Sequence, residues 1–138
     1  PDWRLPFFRR TILGRTKKGQ AWLRHYQMQD ENLAEARKAP WLYGACLMIK
    51  KSCLSQVGAL DERYFLYLED LDWCRRFWEK GWEVAYNPAA MFYHYHAQAS
   101  RGKKGLFDVL VNKYTRIHVT SALKYFWKYG LHVPRYGV

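Results

Sequence analysis

The chain has 138 residues, 49% of them hydrophobic and 18% aromatic, with 7 Trp and 11 Tyr. That composition excludes a disordered or fibrous protein, and the length is that of one domain able to bury a core. A formal charge of +11 favours anionic partners: phosphates, nucleic acid or an anionic membrane surface.

The charge is uneven: residues 1–38 carry +5, residues 39–100 carry −1 and residues 101–138 carry +7, so basic flanks enclose an acidic middle. Cys46, Cys53 and Cys74 are odd in number and lack C-x-x-C spacing, which suggests neither a disulfide framework nor a cysteine zinc site and fits a reducing cytosol. No apolar run approaches the ~20 residues that span a bilayer, and no signal peptide opens the chain. The expected location is cytoplasmic. The start at Pro1, without a Met, reads as a fragment.

Residues 1–41 read as an irregular basic arm and loop. They hold at most a short helix around Phe7 to Leu13, and a polar surface loop from Gln20 to Lys38 that Pro40 ends. Leu42 to Ile49, LYGACLMI, is a continuous apolar run, the pattern of a strand buried on both faces. A short helix follows and closes at Gly58. Leu68 to Lys80 has helical spacing, with Leu71, Cys74 and Phe77 or Trp78 on one face and Gly81 as the stop. Trp82 to Tyr86 and Met91 to His96 read as strands around an Asn87-Pro88 turn. Gly102 to Gly105 is a basic, glycine-bracketed loop. From Leu106 to Tyr129 a helix is expected, with Leu110, Tyr114, Ile117, Leu123 and Trp127 as its apolar stripe and Gly130 as its end.

The acidic knot Glu69, Asp70 and Asp72 begins the helix at Leu68 to Lys80 and follows the aromatic run Tyr64-Phe65-Leu66-Tyr67. Such residues stabilise a helix N-terminus by roughly 0.3–1 kcal/mol each, and Asp72 is spaced to pair with Arg75 and Arg76. A carboxylate there is also held rigidly against an apolar wall, as a general base must be, and two or three together can hold a divalent cation. The spacing alone does not choose. His94 and His96 share one side of their expected strand, a weak metal-binding signal. Arg101, Lys103 and Lys104 form either a solvated loop or one that closes over a diphosphate. Trp73 and Tyr67 are core residues or aromatic faces for a sugar ring.

The stretch from Gly44 to Ser100 resembles the C-terminal half of family 2 glycosyltransferases of the GT-A fold, especially bacterial rhamnosyltransferase-like members. The resemblance is carried in order by Gly44-Ala45, Lys50, Gly58, Asp61-Glu62, Phe65, Tyr67, Glu69-Asp70, Asp72, Gly81-Trp82, Val84, Pro88 and His94. It implies an α/β fold: residues 42–100 as the acceptor-side half of a GT-A (Rossmann-like) domain with a mixed sheet, followed by a basic loop and amphipathic helix over 101–138. The N-terminal nucleotide-binding half is absent, since no D-x-D-ended strand precedes Gly44.

It further implies an inverting transfer of a sugar from a nucleotide-diphosphate donor to an acceptor hydroxyl, in cell-surface polysaccharide or lipid-linked glycan synthesis. Asp70 falls at the catalytic base, and Glu69, Asp72, Trp73 and Tyr67 at acceptor contacts or their support. Arg101, Lys103 and Lys104 fall at the diphosphate, and His94 at a metal. The implied cofactor is a divalent cation, Mg²⁺ or Mn²⁺, not bound by this fragment alone. Asp61 organises the turn before the aromatic run. The fragment is expected to be inactive alone.

Strands cut off from a larger sheet would leave an exposed edge, so a homodimer or strand exchange is expected. The C-terminal helix, with Lys113, Arg116, Lys124, Lys128, Tyr125, Phe126, Trp127 and Tyr129, suits the inner face of the cell membrane, or else packs on the domain with a solvated basic face. A nucleic-acid-binding module is the rival class. No such motif is present and the acidic middle interrupts a phosphate track. A non-catalytic scaffold fragment is the other alternative.

Overall fold

The computed structural model describes residues 12–95 and 108–131, together with Asp2, Arg4 and Tyr136. In chain order the described elements are a 3-10 turn (Ile12–Arg15), α1 (Lys17–Tyr26), β1 (Arg37–Lys38), α2 (Lys51–Val57), α3 (Glu69–Glu79), β2 (Ala85–Tyr86), α4 (Asp108–Val111) and α5 (Lys113–Tyr129). The architecture is mixed: helices with one small sheet. β1 and β2 pair antiparallel, Arg37 opposite Tyr86 and Lys38 opposite Ala85.

Helix α3 is the central element because both of its sides are covered. Cys53 and Val57 of α2 pack on Phe77, with Ile49, Trp73, Trp82 and Val84 around them. Leu71 packs with Tyr64 and with Tyr125 of α5, flanked by Trp41, Leu68, Phe126 and Tyr129. The 3.6-residue repeat of Leu71, Cys74 and Phe77 matches the helix expected from the sequence. Its stop is also as expected: Gly81 has φ 78°, which a side chain disfavours. Helix α2 ends in the same way at Gly58, φ 80°, whose N–H bonds Leu54 O at 2.8 Å.

Four expectations are corrected. Residues 42–49 form no strand; the backbone there is irregular and largely exposed, with Met48 99% accessible. A continuous apolar run becomes a strand only where a sheet receives it, and none does among the described residues. Residues 91–95 are likewise irregular and exposed, and of Trp82 to Tyr86 Ala85 and Tyr86 alone are strand. The long open sheet edge expected to drive dimerisation is therefore missing among the described residues. Third, Lys17 to Tyr26 is a helix where a loop was expected from Gln20. Thr16 caps it by accepting from Gly19 N, and Trp22 stacks on Tyr26 one turn on, at 5.2 Å. Gly19 weakens the helical pattern in sequence yet is needed, because a Cβ there would lie 2.1 Å from Leu13 O.

Finally, the C-terminal helix is divided and turned. Asn112 interrupts it, accepting from Tyr114 N and Thr115 N to start α5 afresh. The face turned inward carries Thr115, Ser121 and Tyr125, whereas most of the expected apolar stripe faces out: Leu123 is 66% and Trp127 84% exposed.

Candidate functional site

The acidic start of α3 is set by an unusual backbone. Tyr67 and Leu68 both have φ near +68°, the left-handed region that costs an ordinary residue about 1–2 kcal/mol. Helix α5 holds this turn in place. Ser121 Oγ donates to Leu66 O at 2.8 Å, Lys124 Nζ donates to Arg63 O at 2.6 Å, and Tyr67 stacks on His118 at 4.6 Å. Asp61 caps the same turn by accepting from Arg63 N at 3.1 Å, as expected from the sequence.

Downstream of that turn the three carboxylates separate. Asp70 is half-buried, and Gly44 N donates to its Oδ2 at 2.8 Å while Leu71 N donates to Oδ1 at 2.7 Å. Burial raises its pKa above the ordinary carboxylate value, and the hydrogen bonds from Gly44 and Leu71 pull it back in part. Glu69 is raised by burial too, with the Asp70 charge adding to the effect, and its Oε2 is buried without a hydrogen-bond partner among the described residues. Both line an open cleft of about 410 Å³ with Trp73, Leu60 and residues 44–47. Trp73 is oriented by its Nε1–H, which donates to Gly58 O at 2.9 Å.

Asp72 points elsewhere. It is fully buried, and its oxygens accept from Arg76 Nε at 2.8 Å, Lys128 Nζ at 2.6 Å and Tyr129 Oη at 2.8 Å. Arg76 continues to Val57 O and Ala59 O, and Lys128 continues to Asp61 at 2.9 Å. Of the four residues assigned to the acceptor, Glu69 and Trp73 stand in the cleft beside Asp70. Asp72 is a tie between α3 and α5, and Tyr67 packs against α5 rather than lining the cleft.

His94 is exposed in the irregular stretch 91–95. Among the described residues no three His, Cys, Asp or Glu side chains converge to hold a metal ion. His96, Arg101, Lys103 and Lys104 lie outside the described residues.

Gly44 is the partner that residue-by-residue reading missed, for it stands 26 positions from Asp70. Its signal was present as the first residue of the Gly44-Ala45 pair. A Cβ there would come within 3.3 Å of Asp70 Cβ, closer than ordinary packing allows, so glycine permits the backbone to reach the carboxylate.

A half-buried carboxylate oriented by a backbone N–H, beside a second carboxylate and an indole in an open cleft, is equipped to bind a polyol and accept a proton from it. Residues 15–119 match the glycosyltransferase like family 2, and the chain belongs to that family. It is similar to an N-acetylglucosaminyl-diphospho-decaprenol L-rhamnosyltransferase of Mycobacterium tuberculosis, at 36% identity over 64% of this chain and 29% of that protein. It is also similar to the rhamnosyltransferase WbbL of Escherichia coli, at 31% identity over 72% of this chain and 35% of that protein. A shorter similarity, 41% over 25% of this chain and 11% of the relative, links it to a low-salt glycan biosynthesis hexosyltransferase of Haloferax volcanii. The matched stretch spans about a third of the length of the two rhamnosyltransferases. No solved structure matches the chain. No helix of the described residues is long and apolar enough to cross a membrane.

Proposed function

We propose that this chain is the acceptor-side half of an inverting GT-A glycosyltransferase that moves a sugar from a nucleotide diphosphate to a hydroxyl of a lipid-linked or polysaccharide acceptor. The observation that carries it is the placement of Asp70: at the start of α3, oriented by Gly44 N and open to a cleft shared with Glu69 and Trp73. The relatives' names support a rhamnosyl donor and a lipid-linked acceptor.

In this reading the acceptor lies in the cleft with an apolar sugar face against Trp73 and a hydroxyl toward Asp70. As that oxygen bonds to the anomeric carbon, its proton passes to the Asp70 carboxylate. The bond from carbon to the diphosphate oxygen breaks on the opposite face, and the nucleoside diphosphate leaves. Burial raises the proton affinity of Asp70, which suits a base, while the Gly44 and Leu71 N–H groups favour its ionised form. Glu69, on the lining of the same cleft, stands beside Asp70 to contact a neighbouring hydroxyl. Arg101, Lys103 and Lys104 steady the diphosphate, and no step is routed through a metal. The donor-binding half lies outside these 138 residues, and the chain alone is inactive.

The deciding experiment is Asp70→Asn in the full-length enzyme. A loss of about 10²–10⁴ in kcat with donor affinity unchanged is expected of a general base. Retention of more than about a tenth of the activity overturns the assignment. Calorimetry of the 138-residue chain with sugar nucleotides tests the division into halves, and micromolar binding by this chain alone would overturn it.

A further inference from the structure

Helix α5 turns one side to the protein and leaves the other with an unusual combination of residues. At 100° per residue, with Tyr125 facing in, Arg116, Val119, Thr120, Leu123 and Trp127 face out and Lys113 and Lys124 border them. The apolar line continues beyond both ends of the helix, through Leu110 and Val111 on α4 and Leu131 after Gly130, all more than 60% exposed. No Asp or Glu occurs from Val109 to Val138.

The cations on this side are not equivalent. Lys128 is directed inward, to Asp61 and Asp72. Lys113, Arg116 and Lys124 are exposed and line a groove of about 220 Å³ between α5 and the exposed ring of Phe65, with Thr120 and Ser121 on its wall. Lys124 gives one of its three N–H groups to Arg63 O, leaving two for a ligand.

We propose that this face docks on an anionic phospholipid bilayer, with Leu123 and Trp127 entering the headgroup boundary and Lys113, Arg116 and Lys124 holding lipid phosphates. Charge complementarity selects that occupant. Apolar, indole and basic side chains interleave on one acid-free helix face, the composition of interfacial helices. A second copy related by a two-fold axis would set these cations against their own equivalents, which disfavours a dimer through this face. The structure also changes which residues bear the role: of the aromatic group expected from the sequence, Tyr125, Phe126 and Tyr129 belong to the core cluster and its packing shell, and Trp127 remains outside. The inference stands independently of the sugar-transfer reading.

The test is co-sedimentation of the 138-residue chain with phosphatidylcholine vesicles, with and without phosphatidylglycerol. Binding is expected on the anionic vesicles, about tenfold weaker or less on neutral vesicles and at high salt. Lys113→Glu with Arg116→Glu lowers binding about 25-fold or more, each basic residue near an anionic surface being worth about fivefold. Leu123→Ser with Trp127→Ser lowers it about tenfold. Lys17→Glu with Lys18→Glu makes the same change of net charge on α1 and leaves binding within about twofold. Circular dichroism confirms that each variant folds, and quenching of tryptophan fluorescence by brominated lipid reads insertion in the unaltered chain. The proposal is overturned if the unaltered chain fails to bind anionic vesicles at low salt, or if the α1 variant loses as much as the α5 variant. It is also overturned by a dimer that Leu123→Ser with Trp127→Ser dissociates while vesicle binding is absent.

Discussion

Asp70 and Asp72 stand two residues apart on α3 and belong to two regions with opposite character. The cleft region gives Asp70 two backbone N–H partners, an open side and a neighbouring carboxylate with an unpaired oxygen. The seam between α3 and α5 gives Asp72 three side-chain donors and no solvent. At 100° per residue, two positions turn a side chain about 200°, so one short acidic run supplies both faces of the helix. Proton-accepting capacity needs a carboxylate that is under-satisfied; holding two helices together needs one that is saturated. Neighbouring acids in a sequence are thus no guide to a shared task.

The largest expected effect separates the two regions by what each loses. Asp72→Ala leaves Arg76 and Lys128 facing each other without their shared anion. It should cost roughly 3–5 kcal/mol of stability in urea unfolding, the usual result of breaking a buried pair from one side. Asp70→Asn should abolish transfer while leaving the fold intact. If Asp72→Ala costs under about 1 kcal/mol, the seam is not the anchor that its geometry describes. Ser121→Ala probes the connection between the regions, since it leaves Leu66 O without its donor in the turn that leads to Asp70. About 1–3 kcal/mol of stability should be lost, with transfer in the full-length enzyme reduced less than with Asp70→Asn.

The local elements were legible in advance, whereas the separation of Asp72 from the cleft was not, for identifiable reasons. Helices α2 and α3, their glycine stops, and the Asp72–Arg76 pair depend on neighbours within a turn or two, and local spacing predicts them. The Gly44–Asp70 and Lys128–Asp72 contacts join positions 26 and 56 residues apart, which no periodicity encodes. Helix α5 was read with the wrong face inward because its buried positions include Thr115 and Ser121, which hydropathy assigns to solvent; Ser121 is admitted to the interior by its bond to Leu66 O. The apolar run 42–49 looked like a buried strand because composition reports what a segment prefers to bury, not whether a partner is there to bury it.

pH sharpens the comparison through sign. Asp61, on the seam side, is held well below the ordinary carboxylate range by Arg63, with burial opposing and Lys128 assisting. A lowered folded-state pKa contributes stability that is present above the unfolded value of about 3.9 and is lost as pH falls through the folded value. Asp70 and Glu69 are raised by burial, so the folded state binds protons more tightly than the unfolded one, and stability declines as pH rises from about 4 through their folded values. Relative to the unaltered chain, Asp61→Asn should be less stable by about 1 kcal/mol at neutral pH, and Asp70→Asn should be more stable. Both differences should shrink toward zero in acid. Denaturant midpoints for the three proteins from acid to neutral pH check this, and curves that move together would remove the distinction.

The smallest effect uses the three thiols as reporters of the same boundary. Cys46 is exposed on the wall of the cleft, Cys53 lies in the α2–α3 core, and Cys74 is buried on α3 with its pKa raised by burial. In the folded chain one thiol should react promptly with a maleimide and two only on unfolding, because the thiolate must form and be reached. Cys46→Ser should remove the prompt phase and change stability by no more than about 0.5 kcal/mol, as expected at an exposed position. In the full-length enzyme, a bulky maleimide on Cys46 places an obstacle beside Asp70 and should block transfer, while the Cys46→Ser enzyme stays active and indifferent to the reagent. Loss in both would trace inhibition to another thiol. Unimpaired transfer by the fully labelled enzyme would mean that the acceptor does not occupy this cleft, and Asp70 would return to the class of helix-start carboxylates that only stabilise the turn they begin.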